Sequence, residues 1–315
     1  MKNLFFVFTV LLFGVFACDK VDMPVEDPGP TVTDTSGVDT TDTNGVVPFP
    51  TFDTTMLHTS SRKVLVEEFT GHSCTGCPAQ TERLLELQNN NAPEVIVVAY
   101  HEGTFAEVSE DYPTDFRTEY GGNYHDPQSN EIAGYPSAII NRKTFSEFAN
   151  KKHFLAHNEW APPINASIGE AVIVALGVAA DLYEDDNLIK VRVGIQALED
   201  LTSSYRLLVL LTEDSVISQQ KDSRATQLPK KIIQDYAHRH VLRDQINEVA
   251  SVYGDLIIDL GSGLVSNEWI DWTTDYTIAS NVVTPTKCYV VAILIDTQTS
   301  EVVQVEEVHV HEVDQ

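Results

Sequence analysis

The chain has 315 residues, 43% of them hydrophobic, and its 47 acidic against 20 basic side chains leave a formal charge of −27. That length accommodates two domains with sizeable cores, while the charge excludes a phosphate-gripping nucleic-acid face and an electrostatic hold on anionic lipid. Four cysteines are too few for a disulfide-stapled scaffold, so one close pair among them asks for a chemical explanation.

Met1-Lys2-Asn3 carries one positive charge, an apolar run from Leu4 to Val15 follows, and Phe16-Ala17 closes it before Cys18. This is the layout of a secretory signal peptide over residues 1–17, and the run is shorter than the ~20 residues of a membrane-spanning helix. Val15-Phe16-Ala17-Cys18 resembles a bacterial lipobox, with Val15 where leucine is commoner. The resemblance implies cleavage before Cys18 and acylation of its sulfur (palmitate class), which would tie the mature protein to a membrane through lipid alone. The expected location is the cell envelope, and Asp19-Lys20-Val21-Asp22 is compatible with the outer membrane. Residues 18–60 are dominated by Asp, Thr, Pro and Gly, bury too little apolar area to offset their ordering entropy, and are expected to form a flexible tether.

Folded structure is expected from about Arg62. Lys63 to Phe69 reads as a buried strand, Cys74 to about Gln88 has helical periodicity, and Glu94 to His101 reads as a second buried strand. Strand, helix and strand in that order make a βαβ unit with a parallel pair. Tyr135 to Arg142 reads as a turn entering a strand, and a short helix toward Trp160 is expected to end at Pro162-Pro163. Beyond that point come alternating runs at Ala171 to Leu182, Leu188 to Leu198 and Tyr205 to Leu211, with Glu184-Asp185-Asp186-Asn187 as a hairpin turn. Further runs follow at Leu256 to Leu260, Trp269 to Ile278, Cys288 to Ile295 and Glu301 to His311. They predict an antiparallel β-sandwich over residues 161–315, of immunoglobulin-like character. Pro229 to Asp235 fits a brief helix or a loop.

The pair Cys74 and Cys77, with two residues between them and after a buried strand, has a physical rationale. A cysteine at a helix N-terminus has its thiolate stabilised by free N–H groups and the macrodipole. Its neighbour one turn on is within disulfide reach and can resolve a mixed disulfide. A static structural disulfide and half of a tetrahedral zinc site, with His72 as a third ligand, are the competing readings of the same residues.

Residues 61–160 resemble the thioredoxin fold. Glu68-Phe69 stands six and five residues before Cys74, where that family carries a buried acid and an aromatic, and Tyr135-Pro136 matches its cis-proline. The resemblance implies Cys74 as nucleophile, Cys77 as resolver and Glu68 as proton relay, with Tyr135, Pro136, Thr75 and Gly76 contacting substrate. Ser73 replaces the usual tryptophan. Over nearly the whole mature chain the sequence also resembles the thioredoxin-like outer-membrane lipoproteins of Bacteroidetes (the outer-membrane protein twenty-eight group). The matching stretches are Glu68 to Pro78, Tyr236 to Arg243 and Cys288 to Asp296.

These readings imply thiol–disulfide exchange on thiols or disulfides of exported proteins, without a cofactor or metal and with a redox partner protein. The rival is a non-catalytic surface lipoprotein whose sandwich binds a protein or glycan. His238-Arg239-His240 with Arg243 reads as a hydrogen-bonded loop rather than a metal or anion site, and His309 and His311 are expected to share one strand face by their period of two. Tyr100, Phe105, Tyr112, Phe116, Tyr120 and Tyr124 read as packing around the redox edge. Cys288 reads as a buried, inert thiol.

Overall fold

A computed structural model describes residues 47–313 apart from 53, 120, 122–133, 146–154, 248–250 and 260–262. The signal peptide, Cys18 and most of the tether lie outside the described residues, as do Tyr120 and Tyr124. Among the described residues no helix is long and apolar enough to cross a membrane.

Strand β1 (Val64–Thr70) is buried at every residue, as is β2 (Val95–His101), and the two run parallel from Val64 against Val95 to Thr70 against His101. Burial on both faces explains why each reads as an uninterrupted apolar run. Helix α1 (Cys77–Asn90) connects them. It ends where the Asn91 side chain donates to the Leu87 carbonyl at 2.8 Å. Strand β3 (Ser137–Ile140) lies antiparallel to β1 and pairs in turn with β4 (Leu155–Ala156).

Pro162 and Pro163 behave opposite to expectation, for they open α2 (Ala161–Ile168) rather than close a helix. The first four N–H groups of a helix have no internal acceptor, so proline loses nothing there. With Leu84 of α1, Trp160 and Ile164 cover Val64, Val66, Val95 and Val97 on one face of the β1–β2 pair.

The later runs are strands β5 (Val174–Tyr183), β6 (Leu188–Ala197), β7 (Tyr205–Glu213), β8 (Val216–Lys221), β9 (Ile232–His238), β10 (Val241–Gln245), β11 (Asp255–Ile258), β12 (Trp269–Thr277), β13 (Cys288–Asp296), β14 (Val302–His309) and β15 (His311–Glu312). The β5–β6 turn is the expected one, closed by Asn187 in the left-handed region at φ 54°. One sheet has the order β12-β6-β5-β15. A larger one runs β14-β13-β7-β10-β2-β1-β3-β4, with β11 also on β7. The molecule is therefore β-rich, and its main sheet is mixed and passes through the expected boundary at residue 160. Its junction is β10, parallel to β2 through Val241 and Ala99 and antiparallel to β7.

Alternation gives β7 and β13 two apolar faces. Leu207, Val209, Leu211, Val290, Ala292 and Leu294 pack against β5 and β6 to make the sandwich core. Leu208, Leu210, Val291 and Ile293 point the other way, toward Leu65, Phe69, Ile96 and Tyr100. The sheet curls to enclose this second core. The Val302 N–H donates to the Asn141 carbonyl at 2.9 Å, and the Lys63 N–H to the Gln304 side chain at 3.0 Å.

Contacts begin before residue 61, because Gly177 and Gly194 leave a shallow bed on the outer sheet face. The Phe52 ring fills it beside Trp269, at a ring separation of 5.3 Å. His309 and His311 do not share a face, since the chain changes sheets at buried Val310. His309 pairs with Tyr289 on β13 and His311 with Asp181 on β5.

Candidate functional site: the Cys74–Cys77 loop and what covers it

Cys74 and Cys77 form a disulfide with Cα atoms 5.5 Å apart. The loop carrying them leaves the C-terminal end of β1 and is fixed by main-chain bonds. The Ser73 N–H donates to the Phe105 carbonyl at 3.0 Å, and the Cys74 N–H to the Gly71 carbonyl at 3.1 Å. Gly71 allows this approach, since a Cβ there would stand 2.5 Å from the Phe105 carbonyl. The helix begins at Cys77, not at Cys74 as the periodicity suggests: Gly76 precedes it and Pro78 sits in its first turn. The free N–H groups of the helix start thus lie nearest Cys77.

Glu68 is beneath this turn, 1% exposed. Thr81 follows Cys77 by one helical turn, on the same side of α1, and its hydroxyl donates to Glu68 Oε1 at 2.7 Å. Burial pushes the Glu68 carboxyl up to about 7, against the smaller opposing effect of the Thr81 hydrogen bond. Glu68, Cys77 and Thr81 border one small cavity, closed from the far side by Gln220, Tyr236 and His238.

That far wall comes from the β8–β9 arm, a two-stranded sheet of its own. The Lys221 N–H donates to the His72 carbonyl at 2.8 Å and the Ser223 N–H to the Thr75 carbonyl at 2.9 Å. Gln220 Nε2 donates to the Cys74 carbonyl at 3.1 Å. Under this cover Cys74 is 3% and Cys77 1% exposed. Thr75 is exposed and Gly76 half-buried.

Beside the cavity lies an aromatic and imidazole cluster. His101 Nε2 is 3.3 Å from His238 Nδ1, Phe116 packs against both rings at separations of 4.7 and 4.5 Å, and His72 stacks on Tyr112 at 4.8 Å. Burial holds His238 down at about 3 and lowers His101 and His72 as well. His72, read as a third zinc ligand in one competing reading, instead has Nε2 3.0 Å from the Glu107 carbonyl. Among the described residues no group of three or more His, Cys, Asp or Glu side chains is placed to hold a metal. His240 is separate, its Nε2 3.0 Å from Gln88 Oε1.

The Tyr135–Pro136 peptide bond is cis and leads into β3 beside Phe69. The Tyr135 hydroxyl donates to Glu102 at 3.1 Å, and its ring meets Phe105 edge-on. Tyr100 stacks on Phe69 inside the curled sheet. Cys288 is fully buried, and burial with Glu213 nearby pushes its thiol up to about 12. Sequence reasoning missed His101, Gln220 and Tyr236 as neighbours of the pair. Gln220 and Tyr236 arrive from the arm, and no local pattern announces a side chain that reaches a site through tertiary packing.

Residues 126–314 match the family described as Outer membrane protein Omp28. The chain belongs to this family. The family is one of outer-membrane proteins, and this member is a protein of the cell envelope, at the outer membrane. The matched stretch takes in the arm and the sandwich but not Cys74 and Cys77. Among solved structures, HBP35 of Porphyromonas gingivalis shares the fold at a TM-score of 0.58 and 13% identity, over 79% of this chain and 76% of that one. A domain of the outer membrane lipoprotein Omp28 from the same organism is 20% identical over 46% of this chain and 93% of that one, with a TM-score of 0.30. A protein of Agrobacterium tumefaciens gives 14% identity over 82% of this chain and 99% of that one, with a TM-score of 0.46. No curated protein matches the chain.

Proposed function

We propose that this Omp28-family lipoprotein carries out thiol–disulfide exchange on exported proteins, from a membrane tie at Cys18. The observation that carries the reading is the carboxyl of Glu68, buried on the Cys77 side of α1 and raised to about 7. A carboxyl at that value is half protonated near neutral pH and can give or take the proton that a departing or attacking thiolate needs. The parallel β1-α1-β2 unit and the disulfide at the start of α1 support a thioredoxin-like reading of residues 61–160.

Starting from the oxidised pair, a substrate thiolate attacks the Cys74 sulfur and the Cys74–Cys77 bond breaks. Cys77 departs with the electron pair and takes its proton from Glu68. The substrate's second thiolate then attacks the substrate's first sulfur, the one bonded to Cys74 in the mixed disulfide, and Cys74 leaves as the thiolate. The substrate dithiol ends oxidised and the protein pair reduced, two electrons having moved. The reverse sequence reduces a substrate disulfide. A dithiol or disulfide redox partner resets the pair. Thr75, Gly76, Tyr135 and Pro136 are assigned to substrate contact by resemblance to the thioredoxin fold.

The second reading is a non-catalytic lipoprotein that uses the pair as a staple and the sandwich for binding. The burial of both sulfurs favours it, as does a family match that begins after them. Thiol trapping of the full chain across a dithiothreitol series separates the two. Exchange requires a potential of roughly −120 to −270 mV, whereas a staple resists reduction to below about −300 mV. In the exchange case, Glu68→Gln slows turnover at pH 7 by on the order of 100-fold.

A further inference from the structure

The arm does more than cover the pair: the way it is attached imitates a guest. Lys221 and Ser223, two residues apart, present their N–H groups to the carbonyls of His72 and Thr75, which flank Cys74 on either side. A spacing of two is that of an extended strand offering successive donors to one side. The Gln220 side chain adds a third bond, to the Cys74 carbonyl itself. The register of β8 against β9 is broken between Ser218 and Gln220, so the hairpin's regular pairing slips where this segment meets the loop. At its far end Arg224 forks onto Glu82 of α1, both contacts at 2.7 Å. The arm belongs to neither large sheet, and a two-stranded hairpin has little stability of its own. Its hold on the loop therefore rests on few, separable bonds.

We infer that Gln220–Ser223 is a built-in occupant of a polypeptide-binding edge on the Cys74 loop, displaced when an extended exported chain bearing a cysteine docks there. The inference rests on the exchange reading above. If the segment leaves, the His72 and Thr75 carbonyls exchange their N–H donors for water and stand open to a guest's N–H groups. An extended polypeptide supplies N–H groups at the same spacing, the mode of recognition in which a guest adds as a strand. A small thiol has no such backbone and cannot take over those bonds.

The test uses the full chain carrying Cys77→Ser and two probes. One is an extended decapeptide whose single cysteine is activated as its 2-pyridyl disulfide, and the other is cysteamine activated in the same way. The Cys74 thiolate attacks the probe's cysteine sulfur, the new disulfide forms, and pyridine-2-thione leaves with the electron pair. Hydrogen exchange is then read at the Lys221 and Ser223 amides. The peptide adduct is expected to lower protection at both amides at least tenfold, while the cysteamine adduct leaves them protected once formed. Gln220→Ala in the same background should speed peptide capture roughly tenfold, the worth of about one hydrogen bond. Unchanged protection in the peptide adduct, or equal loss in both adducts, overturns the inference and leaves exchange standing. So does a cysteamine adduct without a peptide adduct. No adduct at Cys74 with either probe overturns the exchange reading itself, and the inference with it. Cys77→Ala, which likewise cannot resolve the mixed disulfide, replaces the variant if Cys77→Ser fails to fold.

Discussion

Glu67 and Glu68 are adjacent on β1, and the strand's alternation sends them into different regions of the molecule. Glu67 points into the curled sheet, where Arg142 grips it from Nη2 at 2.8 Å and Nε at 3.0 Å, and the Tyr100 hydroxyl adds a third bond at 3.0 Å. Glu68 points toward α1, has the Thr81 hydroxyl as its hydrogen-bond partner and forms no ion pair among the described residues. Both are fully buried carboxyls in one strand. The first has been given a cation and is part of the framework; the second has been left without one, and its proton is held loosely enough to move near neutral pH. A buried acid with full compensation is structure, and one with partial compensation beside a disulfide is chemistry.

Breaking the compensated side should have the largest effect. Arg142→Ala leaves the Glu67 charge buried and unpaired, which costs on the order of 3–5 kcal/mol, read as a fall in the urea midpoint. The same substitution should leave the pH dependence contributed by Glu68 in place, because the two carboxyls face opposite sides of β1. A loss of both together would mean that the regions are not independent.

Relieving the uncompensated side should stabilise. The raised carboxyl means that the folded state binds its proton more tightly than the unfolded state. Its contribution is therefore fully present below about pH 4.5 and is lost as pH rises to about 7. The interval corresponds to on the order of 3 kcal/mol. Glu68→Gln should remove that decline, so wild type and variant converge at acid pH and separate in the variant's favour toward neutrality. Glu307, also raised to about 7, falls in the same direction in both proteins and cancels in the difference. Parallel urea-derived stability curves for the two proteins would remove Glu68 from the proton-relay role.

His238 supplies the opposite slope from the arm side of the cavity. Its value is depressed to about 3, so its contribution is present above 6.5 and is lost as pH falls below it. Replacing it as His238→Gln should flatten the acid limb by about 1 kcal/mol between pH 6.5 and 5.5. Thermal unfolding at those two pH values checks it, and an unchanged limb would mean that water reaches His238 in solution.

The legibility of the two regions differs as their chemistry does. The β1-α1-β2 unit is readable because its strands are continuous apolar runs and its turn carries the cysteines, all within forty consecutive residues. Strands β5, β6, β12 and β13 are readable from alternation and turn residues. The arm is not. In β9, Gln234, Asp235 and Ala237 are exposed and only Ile232 and His238 are buried, so no apolar period marks a strand. The short β10 hides behind His238-Arg239-His240, which reads as a polar loop while its next residue, Val241, joins the two halves of the main sheet. Glu68 could be located from its distance to Cys74, but its isolation from cations is a fact of packing that no local spacing encodes.

The smallest expected change in stability carries the sharpest contrast. Arg224 and Glu82 are both about half exposed, so their fork is a surface pair worth about 0–1 kcal/mol, and Glu82→Ala, which leaves Arg224 on the buried Asp222 carboxylate, should barely move the urea midpoint. If the arm is held over Cys74 by few, separable bonds, loosening this one should still accelerate reduction of the Cys74–Cys77 disulfide by a phosphine, several-fold at fixed pH. In wild type the reduction rate should level off as phosphine concentration rises, because opening of the arm then sets the pace; in Glu82→Ala the plateau should be higher. A rate that climbs linearly with phosphine and is equal in both proteins would mean that the sulfurs are reached without moving the arm. A framework bond such as Arg142–Glu67 trades stability for nothing kinetic at the disulfide, whereas this surface pair should do the reverse.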